Sequence, residues 1–161
     1  MIRVGSLALP GAALLLALGA VAAPAPAAQP GPDGAAIYTR CAACHTASGR
    51  GVPGAYPPLG PDFRALAAKP EGRRYLVLAV TRGVAGPLTV EGKPYRNIMP
   101  AQSGLDDAAV AAVLNHVGTV IAKPGPPFKA FTAKEVTTAR TGGAGLSGAD
   151  VARLHATVGG K

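Results

Sequence analysis

Cys41, Cys44 and His45 stand together in "RCAACHTASGRG", and these are the only two cysteines of the chain. Side chains at i and i+3 of a helix lie on neighbouring edges of one turn, so both thiols reach the same planar partner. The imidazole that follows projects beneath that plane. C-x-x-C-H is the attachment pattern of a c-type haem, with two thioether bonds to the porphyrin and a histidine nitrogen on the iron. Zinc would need two further ligands, and no second Cys or His pair at metal spacing exists. A thioredoxin-like dithiol asks for a βαβ context that the chain lacks. A plain disulfide would close a tiny loop, stabilise little and leave His45 unexplained. One covalent haem c is therefore expected on Cys41 and Cys44, with His45 as an axial ligand.

The iron's second axial position must be filled from Met99, His116 or His155, or stay open. Met99 lies in "NIMPAQ", where Pro100 disfavours helix and keeps the segment extended. A thioether on such a loop can approach from the face away from His45. His116 falls in mid-helix and reads as a half-buried surface histidine, and His155, near the C-terminus, reads the same way. Met99 is the expected ligand. Two protein ligands leave no site for a substrate, which argues for electron transfer rather than catalysis. Methionine also raises the reduction potential.

Something must position these groups. The chain has 161 residues, enough for one domain. Residues 1–28 read as a secretory leader: Arg3, an apolar run from Leu7 through Ala23, then alternating Ala and Pro. Cleavage is expected between about 22 and 28, after Ala20-Val21-Ala22 or Ala25-Pro26-Ala27. The mature protein is then exported to the periplasm, with no stable membrane insertion. It has no Trp, three Phe and four Tyr, a thin stock for a core, which a large apolar cofactor would supplement. Sixteen Lys and Arg stand against eight Asp and Glu, a net charge of +8. They are scattered, without a Lys/Arg block, which argues against nucleic acid and for an acidic redox protein partner.

The pattern predicts an all-α protein. Asp33 caps a helix through "GAAIYTRCAACH"; residues 46–62 form a Gly/Pro-rich wrapping loop; a second helix covers about 63–83, broken at Pro70. A short hairpin turns at Glu91-Gly92. Ser103 and Asp106 open the third principal helix, whose Leu105, Ala109, Val113, Val117 and Val120 share one face. A Pro-rich strap, "AKPGPPFKAF", leads to two short C-terminal helices opened by Thr132/Glu135 and Ser147/Asp150.

The order "CAACH", "GVPGAYPPLG", "GPLTVEGKPYRNIMP", "LDDAAVAAVLNHV" resembles the class I cytochromes c, the bacterial monohaem type with His/Met ligation. The resemblance covers about residues 33–122. It implies a cytochrome c domain over 29–122, with 123–161 as a C-terminal extension that packs on the domain or on a partner. It implies that Tyr38 meets the face of Val113 and Val117 where the first and third principal helices cross. It implies that Pro57 and Leu59 pack on the haem, with a proline carbonyl, from Pro57 or its rival Pro58, accepting a hydrogen bond from His45. It also implies a propionate contact from Tyr95 or Arg96. The function implied is carriage of single electrons between periplasmic redox proteins. The alternatives are a dedicated cytochrome subunit of a dehydrogenase or reductase, or a peroxidase-like, ligand-binding haem protein.

Overall fold

The computed structural model describes residues 1–2 and 31–160. Apart from its first two residues, the expected leader lies outside the described residues. Helix α1 spans Gly34–His45, and Asp33 caps it by accepting from the Ala35 amide at 2.9 Å. α2 spans Pro61–Ala67 and α3 spans Pro70–Arg82. The expected single broken helix is thus two helices, each opening on a proline, whose fixed φ suits a first turn and whose missing N–H costs nothing there. Strands β1 (Leu88–Val90) and β2 (Lys93–Tyr95) pair antiparallel, with Leu88 opposite Tyr95. Their turn puts Glu91 at φ 51° and Gly92 at φ 75°, the two positive angles that a tight two-residue hairpin requires. α4 (Asp107–His116), α5 (Ala133–Gly142) and α6 (Gly148–Thr157) complete the fold.

α1 and α4 cross at backbone contact. A Cβ at Gly34 would sit 2.2 Å from the carbonyl oxygen of Ala112, so only glycine fits. One turn on, the Tyr38 ring lies 5.3 Å from that of His116, and its hydroxyl donates to the Thr46 carbonyl at 2.9 Å. Burial pushes the Tyr38 hydroxyl up to about 12, which keeps it protonated as that donor. Gly34→Val is expected to cost about 1–3 kcal/mol by forcing the helices apart. Denaturant unfolding measures this, and an unchanged midpoint would show that the crossing has slack.

Two details of α4 differ from expectation. Asp106 is the cap, accepting from the Ala109 amide at 2.7 Å, while Ser103 lies in the turn ahead of it. The Leu105 amide is bonded back to the Gln102 carbonyl at 3.1 Å, which holds that turn out of the helix. At the other end, Val117–Ile121 form a π-helical turn, closed by Ala122 N–H donating to the Val117 carbonyl at 2.7 Å. The wider turn carries Val120 off the apolar face, and it is 49% exposed, whereas Leu105, Ala109, Val113 and Val117 are buried.

Residues 123–160 wrap back over this body. The Asn115 amide holds Phe131 with two hydrogen bonds, donating to its carbonyl at 3.0 Å and accepting from its N–H at 2.7 Å. Arg64 reaches the Gly118 carbonyl at 2.7 Å and donates to Pro126. Val136 of α5 and Val151 of α6 are fully buried in the same core as α3 and α4. Both C-terminal helices have their expected caps: Thr132 accepts from Glu135 N–H at 3.2 Å, and Ser147 and Asp150 form a reciprocal capping box. Among the described residues, no helix is long and apolar enough to cross a membrane.

Candidate haem site

A largely apolar cleft of about 1310 Å³, open on one side, lies between α1, α3, the hairpin and α4. Cys41, Cys44, His45, Pro57, Leu59 and Met99 all line it, so the fold brings every sequence-predicted binding residue to one place.

His45 is the last residue of α1 and is buried. Its Nδ1 lies 2.9 Å from the Pro57 carbonyl oxygen. That decides between the two prolines: Pro57, not Pro58, is the partner. A carbonyl only accepts, so Nδ1 carries the hydrogen and Nε2 keeps its lone pair, the tautomer a metal needs. Burial lowers the His45 pKa, and the Pro57 bond only partly opposes this, so the ring is neutral at ordinary pH. The loop that presents Pro57 depends on Gly51 at φ 65°, where a Cβ would stand 2.3 Å from the Tyr56 carbonyl oxygen. Leu59 is fixed by its N–H to the Gly49 carbonyl at 2.7 Å.

Cys41 and Cys44 are partly buried and not bonded to each other. Burial, the leading cause, pushes the Cys41 thiol up. A redox-active dithiol shows the reverse, a thiol made acidic by its surroundings. The pair is suited to covalent attachment rather than to disulfide exchange.

Met99 sits in an extended segment, as Pro100 predicts. It makes a two-way bridge with Val84, each N–H donating to the other's carbonyl at 2.9 Å. Gly83, at φ 78°, lets that bridge close, since a Cβ there would meet the Met99 oxygen at 2.5 Å. The side chain's place in the cleft is therefore set by backbone bonds.

Of the propionate candidates, Tyr95 is buried in the cleft wall, and Arg96 is exposed and outside it. His116 is partly buried beside Tyr38 and does not line the cleft. His155 is a correction: expected near the surface, it is 3% exposed, lines the cleft, and holds Nε2 2.8 Å from Asp62 Oδ2. Sequence reasoning missed both members of this pair. The available signal was the apolar stripe of α6, in which Val151 and His155 stand one turn apart.

An apolar cleft, two unbridged cysteines, an imidazole with a free Nε2 and a thioether suit an iron porphyrin. Among the described residues, no three His, Cys, Asp or Glu side chains gather as a bare-ion site would require. The cytochrome c family model matches residues 32–120. Cytochrome c-552 of Thermus thermophilus is 44% identical over 110 residues, which is 67% of this chain and 84% of that protein. A cytochrome c-552 from a second strain of Thermus thermophilus is likewise 44% identical over 110 residues, 67% of this chain and 74% of its own length. The chain belongs to the cytochrome c family.

It is a class I monohaem cytochrome c, and its helical fold with one small two-stranded sheet is the fold of that class. A cytochrome c carries haem c covalently, and Cys41 and Cys44 fit the C-x-x-C-H pattern. Its role is electron transfer. The family match ends ahead of α5 and α6, so His155 lies beyond it.

Proposed function

We propose that this cytochrome is an exported, periplasmic carrier of single electrons, its haem joined to Cys41 and Cys44 and its iron held by His45 and Met99. The observation that carries this reading is the convergence of those four side chains on one apolar cleft, with His45 in the tautomer set by Pro57. Bound there, the haem supplies a one-electron iron couple. The protein does the rest. The Pro57 carbonyl orients the imidazole and makes it a better donor. The Val84–Met99 bridge holds the thioether in position. Leu59, Leu76, Val113 and the other apolar walls exclude water, which disfavours the more highly charged ferric state. With both axial positions taken by protein, no substrate reaches the metal, so the chain is not an enzyme.

The excess of basic residues favours an acidic redox partner in a short-lived complex. Residues 123–160, the segment that would otherwise serve a permanent partner, pack on the chain's own core. That supports a free carrier over a dedicated subunit of a larger oxidoreductase.

The mass of the protein purified from its host's envelope tests the reading, reporting the leader cut and one added haem together. Carbon monoxide should not bind the reduced protein. Complete and rapid binding would make it a ligand-binding or peroxidase-like protein instead. The rate of reaction with an acidic partner is expected to fall as salt rises, because a Debye length of about 10 Å at 0.1 M screens the attraction. A salt-independent rate would remove the steering role of the positive charge.

A further inference from the structure

α6 delivers His155 to the haem cleft, and neither covalent attachment nor axial ligation employs it. The ring and its Asp62 partner are 3% and 6% exposed, 2.8 Å apart, and both line the cleft. An apolar pair of similar volume would pack this wall at least as stably, because desolvating two ionisable groups costs about what their attraction returns. The ring is also sealed in. The Tyr75 ring stands edge-on at 5.3 Å. From the other end the chain folds back so that a Cβ at Gly160 would meet the imidazole at 2.3 Å. Gly160 N–H donates to the His155 carbonyl at 2.8 Å, fixing that return.

We propose that His155 and Asp62 form a proton-binding site coupled to the haem, so that this cytochrome takes up a proton with its electron and releases both together. The proposal rests on the reading above, in which the haem occupies this cleft. With Asp62 ionised, His155 Nε2–H donates to it whether the ring is neutral or charged, and the exchanging proton resides on Nδ1. A neutral ring leaves the pair at −1, and a protonated ring leaves it at zero. Reduction removes one positive charge from the cleft, which makes the added proton on His155 more favourable. An anionic pair favours the oxidised centre in turn. In a wall with little water, such charge coupling is only weakly screened. The balance is simple: the electron comes from the donor protein, the proton from solvent, and no covalent bond to carbon or metal forms or breaks.

The charges around the pair leave it the exchanging group of this wall. Tyr75 faces it from α3, and burial, reinforced by the Asp62 charge, keeps the Tyr75 hydroxyl protonated. Lys69, between α2 and α3, has its ammonium over Gly159, where a Cβ would lie 2.6 Å from Nζ. Glu91 of the hairpin turn stands over Gly60, where a Cβ would lie 3.1 Å from Oε1. Arg64 of α2 and Arg73, Arg74 and Arg82 of α3 are turned away, to Glu135 and to carbonyls of residues 67 and 118–146. On α6 itself, Asp150 and Arg153 pair with each other near its N-terminus.

The test is a spectroelectrochemical titration of the haem-loaded protein from about pH 5 to pH 8, the range in which histidine changes charge. The midpoint is expected to fall with rising pH, approaching about 59 mV per unit where steepest, the tenfold step of a one-electron couple. His155→Gln and Asp62→Asn should each flatten that slope while the haem and methionine bands persist. A measurement on the unaltered protein covers the event that either variant does not fold. Nuclear magnetic resonance of the His155 ring should show it titrating at higher pH in the reduced state than in the oxidised state. A flat midpoint in the unaltered protein, a slope that survives both substitutions, or equal titration of His155 in the two states would overturn the proposal and leave the carrier reading standing. A preparation without covalent haem or without the methionine band would sink the carrier reading itself.

Discussion

Met99→Ala is expected to abolish the sulfur-to-iron charge-transfer band at the red edge of the oxidised spectrum and to let carbon monoxide bind the reduced protein. The reduction potential should drop by a substantial part of the roughly 0.8 V range that axial ligands control. Three features make this a clean experiment. Met1 and Met99 are the only methionines, and only Met99 lines the cleft. The two 2.9 Å hydrogen bonds to Val84 are made by backbone atoms, so alanine keeps them and the loop keeps its course. Gly83, which permits the close approach, is untouched. The loss is then that of a soft donor to ferrous iron, with little change of fold. Visible spectroscopy and voltammetry report it together. A band that survives the substitution assigns the second ligand to another residue.

Arg73→Ala is expected to destabilise the folded protein by about 3 kcal/mol, the low end of the range for breaking a buried pair, because Glu135 keeps some contact with water. Arg73 lies on α3 and is the fastening of the C-terminal segment. Its guanidinium donates to both Glu135 carboxylate oxygens at 2.6 and 2.7 Å, to the Lys129 carbonyl at 2.7 Å and to that of Ala130 at 3.2 Å. A further bond runs to the Ala67 carbonyl at 3.3 Å, and the guanidinium covers the Phe131 ring at 3.8 Å. Alanine leaves carbonyls and a carboxylate without a donor. The Arg73 hydrogen bond is also the leading reason why Glu135 is held below its usual 4.5. A depressed carboxylate adds stability at pH above its unfolded value, and that stability drains away as pH falls through the lower folded value. Acid should therefore destabilise the native protein below about pH 4.5 more steeply than it does the variant. Urea unfolding at a series of pH values checks both effects. A variant within about 1 kcal/mol of the parent at neutral pH would show that the C-terminal segment is held by other contacts.

Local chemistry was legible in the residues themselves. Cys41, Cys44 and His45 lie within one helical turn, so their mutual placement needs no tertiary information. Pro100 constrains the residue before it, and Met99 is extended for that reason. Glu91-Gly92, Asp33, Thr132 and Ser147 act over two or three residues, and each does what its type requires. Where two adjacent residues competed for one role, reading failed to decide. Pro57 and Pro58 are equivalent by type, and only the path of the loop past Gly51 aims one carbonyl at His45. Where a helix departed from 3.6 residues per turn, reading failed outright, and Val120 is exposed because a π turn shifts everything after Val117.

The sequence by itself determined the cofactor chemistry, the two candidate axial ligands and the helical class, since each rests on interactions between near neighbours. Tertiary structure alone decided that residues 123–160 close the core instead of trailing from it, and that His155 meets Asp62, 93 positions away, inside the haem cleft. That meeting depends on how α6 lies across α3. Helix packing is a property of whole apolar faces and of the space they leave, so no short window of sequence carries it.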